Sequence, residues 1–219
     1  MAHSIYVFDA YGTLFDVHAA VRRHSAEIGA DAPFFSELWR SKQLEYSWML
    51  SLMGRYRDFW ALTEDALDYC LERFPAVDPV LRPKLLDAYW SCDCYPEVPE
   101  LFSQLKLRGA RLAILSNGSP KMLNAAIANA GIGDSLDEVI SADEVKIYKT
   151  APAVYDLVTT RFRAFPEAIS FQSSNRWDCA GASAYGFRTV WINRLGRPEE
   201  YHDIMPAAVL PDLAGLLTL

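Results

Sequence analysis

The stretch "SIYVFDAYGTLFD", residues 4–16, decides how this chain is read. Ile5-Tyr6-Val7-Phe8 is a continuous apolar run of the kind that strands buried on both faces show. It stops at Asp9, and an aspartate at the end of a buried strand is costly unless it is hydrogen-bonded or paired. Gly12-Thr13 follows as a tight turn whose N–H groups can orient that carboxylate. The plainer reading makes Asp9 a capping acid for the turn "YGT". The sharper one makes it a reacting group, and the rest of the chain bears on the choice.

Working outward, short apolar runs rich in β-branched residues recur at Leu112–Leu115, Val139–Ile140, Ile169–Phe171 and Thr189–Ile192. Helix-length segments separate the later runs. The alternation predicts an α/β fold with a parallel sheet and crossover helices. Two more strands end in small polar residues, "SNGSP" at 116–120 and "SSN" at 173–175. Open α/β sheets bind ligands at the carboxyl ends of their strands, so these tails should meet Asp9 in one crevice. Ser119-Pro120 reads as an N-cap followed by Pro at the first helical position. Ser116 and Asn117 would then sit near a helix N-terminus, where anions are favoured. Gly131 and Gly186 are expected to close the helices after the second and fourth strands. At the third strand's exit Lys149 could pair with Asp9, with Lys146 as its rival.

One connection is too long for a crossover unit of roughly 30 residues. Its excess, residues 16–96, is helical in character. Phe35, Leu38, Trp39, Leu44, Trp48 and Leu52 fall at helical spacings, as do Trp60, Leu62, Leu67, Cys70 and Leu71. This predicts a helical cap domain over 16–96, inserted into a core made of 1–15 and 97–219. A cap over a crevice excludes water and supplies substrate contacts.

Bulk properties narrow the classes further. The chain has 219 residues, 51% of them apolar, enough for a sizeable core, and a net charge of −7 that disfavours a nucleic-acid partner. Any anion bound here needs local cations or backbone N–H groups. No apolar run approaches a membrane span, and the N-terminus lacks the layout of a signal peptide, so no membrane partner is expected. The four cysteines, Cys70, Cys92, Cys94 and Cys179, read as reduced thiols of a cytoplasmic protein. Cys92-x-Cys94 is too tight for the usual zinc pairing. None of His3, His18, His24 and His202 ends an expected strand, which argues against a Ser-His-Asp hydrolase. No G-x-G-x-x-G or P-loop pattern appears.

Four motifs in order, "DAYGTLFD" at 9–16, "LSNGS" at 115–119, "YKTAPAVY" at 148–155 and "SSNRWDCAGASAYGF" at 173–187, resemble the haloacid dehalogenase superfamily. The similarity is specifically to the (S)-2-haloacid dehalogenases, and it extends to the cap stretch "LWRSKQLEYSWMLSLMGRYRDF" at 38–59. Phosphatases of the superfamily usually carry "DxDGT", whose second acid protonates an alkoxide leaving group. Here that position is Tyr11, a poor acid at neutral pH. Those phosphatases also bind Mg²⁺ through an acid four residues before the last motif's Asp, and here that residue is Ser174. Both losses suit displacement of halide, a weak base that leaves without a proton.

The resemblance implies a Rossmann-like core and hydrolysis of (S)-2-haloalkanoic acids to (R)-2-hydroxyalkanoic acids. Asp9 would form an ester intermediate, with no metal or other cofactor. It implies that Lys149 pairs with Asp9, that Asp178 activates the hydrolytic water, and that Thr13, Ser173 and Asn175 hold the nucleophile or that water. Ser116 resembles the substrate-carboxylate site, Arg40 and Asn117 the halide-receiving pair, and Tyr155 a supporting partner. Tyr11, Leu44, Phe59 and Trp177 would wall the pocket. The family is often dimeric, and the aromatic-rich cap could supply a homodimer interface. Two alternatives stay open: a Mg²⁺-dependent phosphatase or phosphonatase, and a non-catalytic binding protein on the same fold.

Overall fold

The structure is a computed structural model, and it describes residues 4–219. His3 and the first residues of the expected core lie outside the described residues. Strand β1, Ile5–Phe8, occupies an interior position of a parallel sheet with β2, Arg111–Ser116, on one side and β4, Ile169–Ser173, on the other. Beyond β2 lies β3, Glu138–Ser141, and beyond β4 lie β5, Arg188–Ile192, and β6, Ala208–Leu210, giving the order β3-β2-β1-β4-β5-β6. Phe8 pairs with Ile114 and with Gln172. This register puts Asp9 level with the carboxyl ends of both neighbours, and its N–H donates to the Gln172 carbonyl at 2.9 Å.

The five strands expected from apolar runs are present. β6 was not expected. It is three residues long, only partly buried and paired on one side, so it lacks the buried run that marks the other strands.

Helices α1 to α5 (Ala19–Arg23, Ser25–Ile28, Ala32–Leu52, Phe59–Arg73 and Leu81–Trp90) fill the long excursion between β1 and α6, Val98–Leu107. α3 runs for 21 residues with Pro in its first turn. Its buried face holds Phe35, Trp39 and Leu44, but also the polar Ser36, Gln43 and Ser47. The apolar stripe fades toward the C-terminus, where Leu52 is 80% exposed. α4 starts at Asp58, whose carboxylate accepts the Trp60 N–H at 2.8 Å. The two long helices are tied by the Trp39 indole N–H, which donates to the Thr63 carbonyl at 2.9 Å.

Three crossover helices complete the core: α7, Pro120–Ala130, α8, Pro152–Phe162, and α9, Arg176–Tyr185. Ser119 stands at the N-cap of α7 with Pro120 first in the helix, as expected, although the Ser119 hydroxyl makes no capping bond. Gly131 and Gly186 end α7 and α9 in the left-handed conformation at φ +64° and +115°, where a side chain would be strained.

Candidate active site

Asp9 is 5% exposed, and its two oxygens meet different surroundings. Oδ2 receives the Thr13 hydroxyl at 2.9 Å, the Asn175 amide at 2.8 Å and, more distantly, the Ser173 hydroxyl at 3.4 Å. Among the described residues Oδ1 receives only the Lys149 ammonium, at 3.0 Å. The loop after β4 builds this asymmetry. Ser174 donates its backbone N–H to Thr13 Oγ1 at 2.8 Å, and of the two acceptors within reach of the Thr13 proton the Asp9 carboxylate, at 2.9 Å, is nearer than Ser174 Oγ at 3.2 Å. Asn175 donates its own N–H to Ser173 Oγ at 3.1 Å.

Lys149 bridges two carboxylates. Its Nζ lies 2.8 Å from Asp178 Oδ2 as well as 3.0 Å from Asp9 Oδ1, and all three side chains are nearly sealed from solvent. Burial pulls the Lys149 pKa down, but the charges of Asp178 and Asp9 outweigh it and hold the ammonium charged. Asp178 lies in the first turn of α9, where the helix dipole favours negative charge. Burial nonetheless raises its carboxyl to about 6, with a further push from Asp9, against the pull of Lys149 and Tyr155. One cation cannot neutralise two anions, so a carboxylate that is easier to protonate is the natural result.

Tyr155, on α8, donates its hydroxyl to Asp178 Oδ1 at 2.9 Å. Burial and the neighbouring carboxylate hold that phenol protonated, so it is a fixed donor. α9 can approach only because Gly181 has no side chain. A Cβ there would lie 2.6 Å from the Tyr155 hydroxyl and 2.7 Å from Thr150 Cβ. Lys146, the rival lysine, faces solvent and pairs with Asp143 at 2.8 Å.

Ser116 and Asn117, at the end of β2, are both buried. Ser116 Oγ accepts the Gly118 N–H at 3.0 Å, and Asn117 Oδ1 accepts the Lys149 backbone N–H at 2.9 Å. The second of these locks the β2 tail to the loop that carries the lysine. Tyr11 packs over Gly118, where a Cβ would come within 2.6 Å of its ring, and it stacks on Tyr89 with centroids 5.7 Å apart. Burial pushes the Tyr11 phenol well above its ordinary range, making it a still poorer acid.

The cap reaches the site through Arg40 of α3. One guanidinium nitrogen donates to the Tyr11 carbonyl at 3.2 Å and another to Gln43 Oε1 at 2.7 Å. Gln43 is itself held by Thr63 at 2.6 Å and by the Tyr89 hydroxyl at 3.0 Å. Among the described residues Arg40 has no ion pair with a carboxylate. Arg40, Leu44, Asn175 and Trp177 share the lining of a cavity of about 310 Å³. Phe59 stands apart from that cavity. It is buried at the start of α4 and packs against Tyr148, the residue before Lys149, at 5.5 Å between centroids.

The donor set does not suit a divalent cation. Lys149 already occupies the place between Asp9 and Asp178, and Ser174 stands where a further acid would be needed. No group of three or more His, Cys, Asp or Glu side chains able to hold a metal is found among the described residues.

The model of the haloacid dehalogenase-like hydrolases matches residues 3–186. The chain belongs to that family. Among characterised proteins it is similar to (S)-2-haloacid dehalogenase 1 of Pseudomonas sp. (strain CBS-3), with 47% identity across 97% of this chain and 96% of the relative. Among solved structures it is similar to a dehalogenase at 43% identity and a TM-score of 0.96, covering 99% of this chain and 96% of that one. It is also similar to the L-2-haloacid dehalogenase of Xanthobacter autotrophicus with chloropropionic acid covalently bound, at 35% identity and a TM-score of 0.90, covering 100% and 98%.

Within this haloacid dehalogenase-like fold, Asp9, Thr13, Lys149, Tyr155, Ser173, Asn175 and Asp178 form one hydrogen-bonded network. Asn117 joins it through the Lys149 backbone, and Arg40 touches it through the Tyr11 carbonyl. Three further residues support the site and were not singled out from the sequence as doing so. Ser174 orders Thr13, and Gln43 aims Arg40. Arg194 donates to the Thr13 carbonyl at 3.0 Å while pairing with Glu97 at 2.6 Å. Arg194 follows β5, so the strand-end rule applied to that strand would have found it. For Gln43 the one clue is a polar residue on an otherwise buried helix face.

Proposed function

We propose that this chain hydrolyses (S)-2-haloalkanoic acids to (R)-2-hydroxyalkanoic acids and halide through an ester formed on Asp9. The unequal solvation of the two Asp9 oxygens is the observation that carries the reading. Oδ1, with one partner, keeps lone pairs free to attack C2 of the substrate from the side opposite the halogen, which inverts that carbon. The halide departs with the bonding pair and needs no proton, which is why a tyrosine suffices at position 11. Arg40, whose charge no carboxylate offsets, and the Asn117 amide receive it. Ser116 and the N–H groups opening α7 take the substrate carboxylate. Leu44, Tyr11 and Trp177 enclose the alkyl group, and Phe59 backs the site from behind Tyr148.

In the second step water attacks the ester carbonyl. The oxygen that turns negative is Oδ2, already faced by Thr13, Asn175 and Ser173, so the donors are in place before charge develops. Asp178 takes the proton from that water, and its raised pKa makes it a stronger base than an ordinary aspartate. The Cγ–Oδ1 bond then breaks, and the departing oxygen takes that proton to leave as the hydroxyl of the 2-hydroxy acid. Lys149 and Arg40 supply the positive charge that lets two carboxylates and an anionic substrate share one closed site, with no role for a metal. Relatives named (S)-2-haloacid dehalogenase, and the Xanthobacter autotrophicus enzyme carrying covalently bound chloropropionic acid, support this reading.

The chain divides, in the same proposal, into a cap over 16–96 and a core of 1–15 and 97–219. A cytoplasmic homodimer is part of the same proposal. Free thiols throughout fit a reducing compartment, and light scattering checks the assembly.

Chloride release from (S)-2-chloropropionate in excess chelator, with chiral analysis of the product, is the test. Release with (R)-lactate as product supports the proposal. Turnover confined to phosphate esters and dependent on Mg²⁺ would replace it with the phosphatase reading.

A further inference from the structure

The cavity of about 310 Å³ beside Asn175 and Arg40 is not the largest hollow in the molecule. A second one, of about 840 Å³, lies between α3 on one side and α8 and α9 on the other. Trp48 of α3 and Trp177 of α9 line both. Their rings meet edge to face with centroids 5.3 Å apart, so one pair of side chains, one from the cap and one from the core, stands between the two spaces. Ring contact is what holds the pair. Both side chains are half-buried, and neither indole N–H has a hydrogen-bond partner among the described residues. The far wall of the larger cavity is mostly apolar, with Leu52, Ile147, Ala180, Ala184 and Ile204. Leu52, exposed at the end of the helix that carries Arg40, faces this space.

We infer that the Trp48–Trp177 pair is a specificity wall, and that the larger cavity receives the alkyl tail of 2-haloacids too long for the inner cleft. This rests on the proposed function and names its substrate class further. The occupant follows from continuity. Among the described residues the only groups lining both spaces are the two indoles. A ligand that passes them starts beside Arg40 and meets a mostly apolar far end, with Lys149 and Thr150 also in its wall. A tail that enters leaves water for an apolar surface, which favours binding several-fold for each methylene buried. A closed pair confines turnover to short acids, and an opened one lengthens the range.

The test is kcat/KM for (S)-2-bromopropionate, (S)-2-bromohexanoate and (S)-2-bromooctanoate, read as bromide release. Calorimetric titration with propionate and octanoate, which cannot react, runs in parallel. Trp48→Ala is expected to raise the octanoate-to-propionate ratio at least about tenfold in both readouts. Ala184→Trp, which fills the larger cavity from an exposed position, is expected to lower the ratio in the wild-type background and to cancel the gain in the double variant. An unchanged ratio in Trp48→Ala, or a gain that survives Ala184→Trp, overturns the inference. A wild-type protein that releases no bromide from any of the acids overturns the proposed function instead, and the titrations then still decide the tail cavity.

Discussion

Asp9 and Arg40 lie on either side of the same turn, yet they are held by different physics. On the core side, Lys149 is buried between two carboxylates, and every position is set by charge and by strand register. On the cap side, Arg40 is half-buried and held by neutral dipoles, the Gln43 amide oxygen and the Tyr11 carbonyl. The difference assigns the two cations different tasks. A cation paired with carboxylates organises the nucleophile and cannot accept another anion cheaply. A cation held by dipoles keeps its charge available to an anion that arrives and leaves.

Replacing Asp9 by Asn should break the account most severely, lowering kcat by at least about 10⁴-fold while the protein folds. Halide release, with circular dichroism as the control for folding, measures it. Next in size are paired substitutions that address the contrast itself. Lys149→Met removes the partner of two buried carboxylates and should cost about 3 kcal/mol of stability in urea unfolding besides activity. Arg40→Met should lower activity by about 10²-fold with stability close to wild type, since no ion pair is lost. Equal stability losses at the two positions would remove the distinction drawn here.

Smaller effects follow from Asp178. Its base form is required, and burial lifts its pKa to about 6. kcat, which includes the hydrolytic step, should therefore fall by about tenfold for each unit below the Asp178 pKa in the ester intermediate. That pKa lies below its free-enzyme value, because esterified Asp9 no longer repels the Asp178 charge. Tyr155→Phe sharpens the assignment. The lost hydroxyl favoured the ionised carboxylate, so the acid limb should move to higher pH with only a several-fold loss at its plateau. A limb that stays in place would separate Asp178 from the titration.

Much of the core was legible in the chain. Ile5–Phe8 and the later apolar runs announce strands because buried strands need no polar face, and register then carries Asp9, Ser116 and Ser173 to one edge. Lys149 and Lys146 could be separated by motif match alone, since local spacing says nothing about which loop folds back over the sheet. The structure puts Lys149 at the carboxylates and Lys146 in solvent. The cap was legible as helices but not as contacts. Gln43 matters because α3 meets α4 and Tyr89 there, and Phe59 lies behind Tyr148 rather than at the inner cleft. β6 escaped notice because a short edge strand leaves no apolar run.

The central claim is that Asp9 makes a transient bond to carbon. One turnover by excess enzyme in ¹⁸O water, followed by mass spectrometry of the product and of the peptide holding Asp9, tests it most directly. The account predicts a first product without heavy oxygen and ¹⁸O in the Asp9 carboxylate. Heavy oxygen in that first product, with an unlabelled Asp9 peptide, would mean that water attacks the substrate directly and would contradict it.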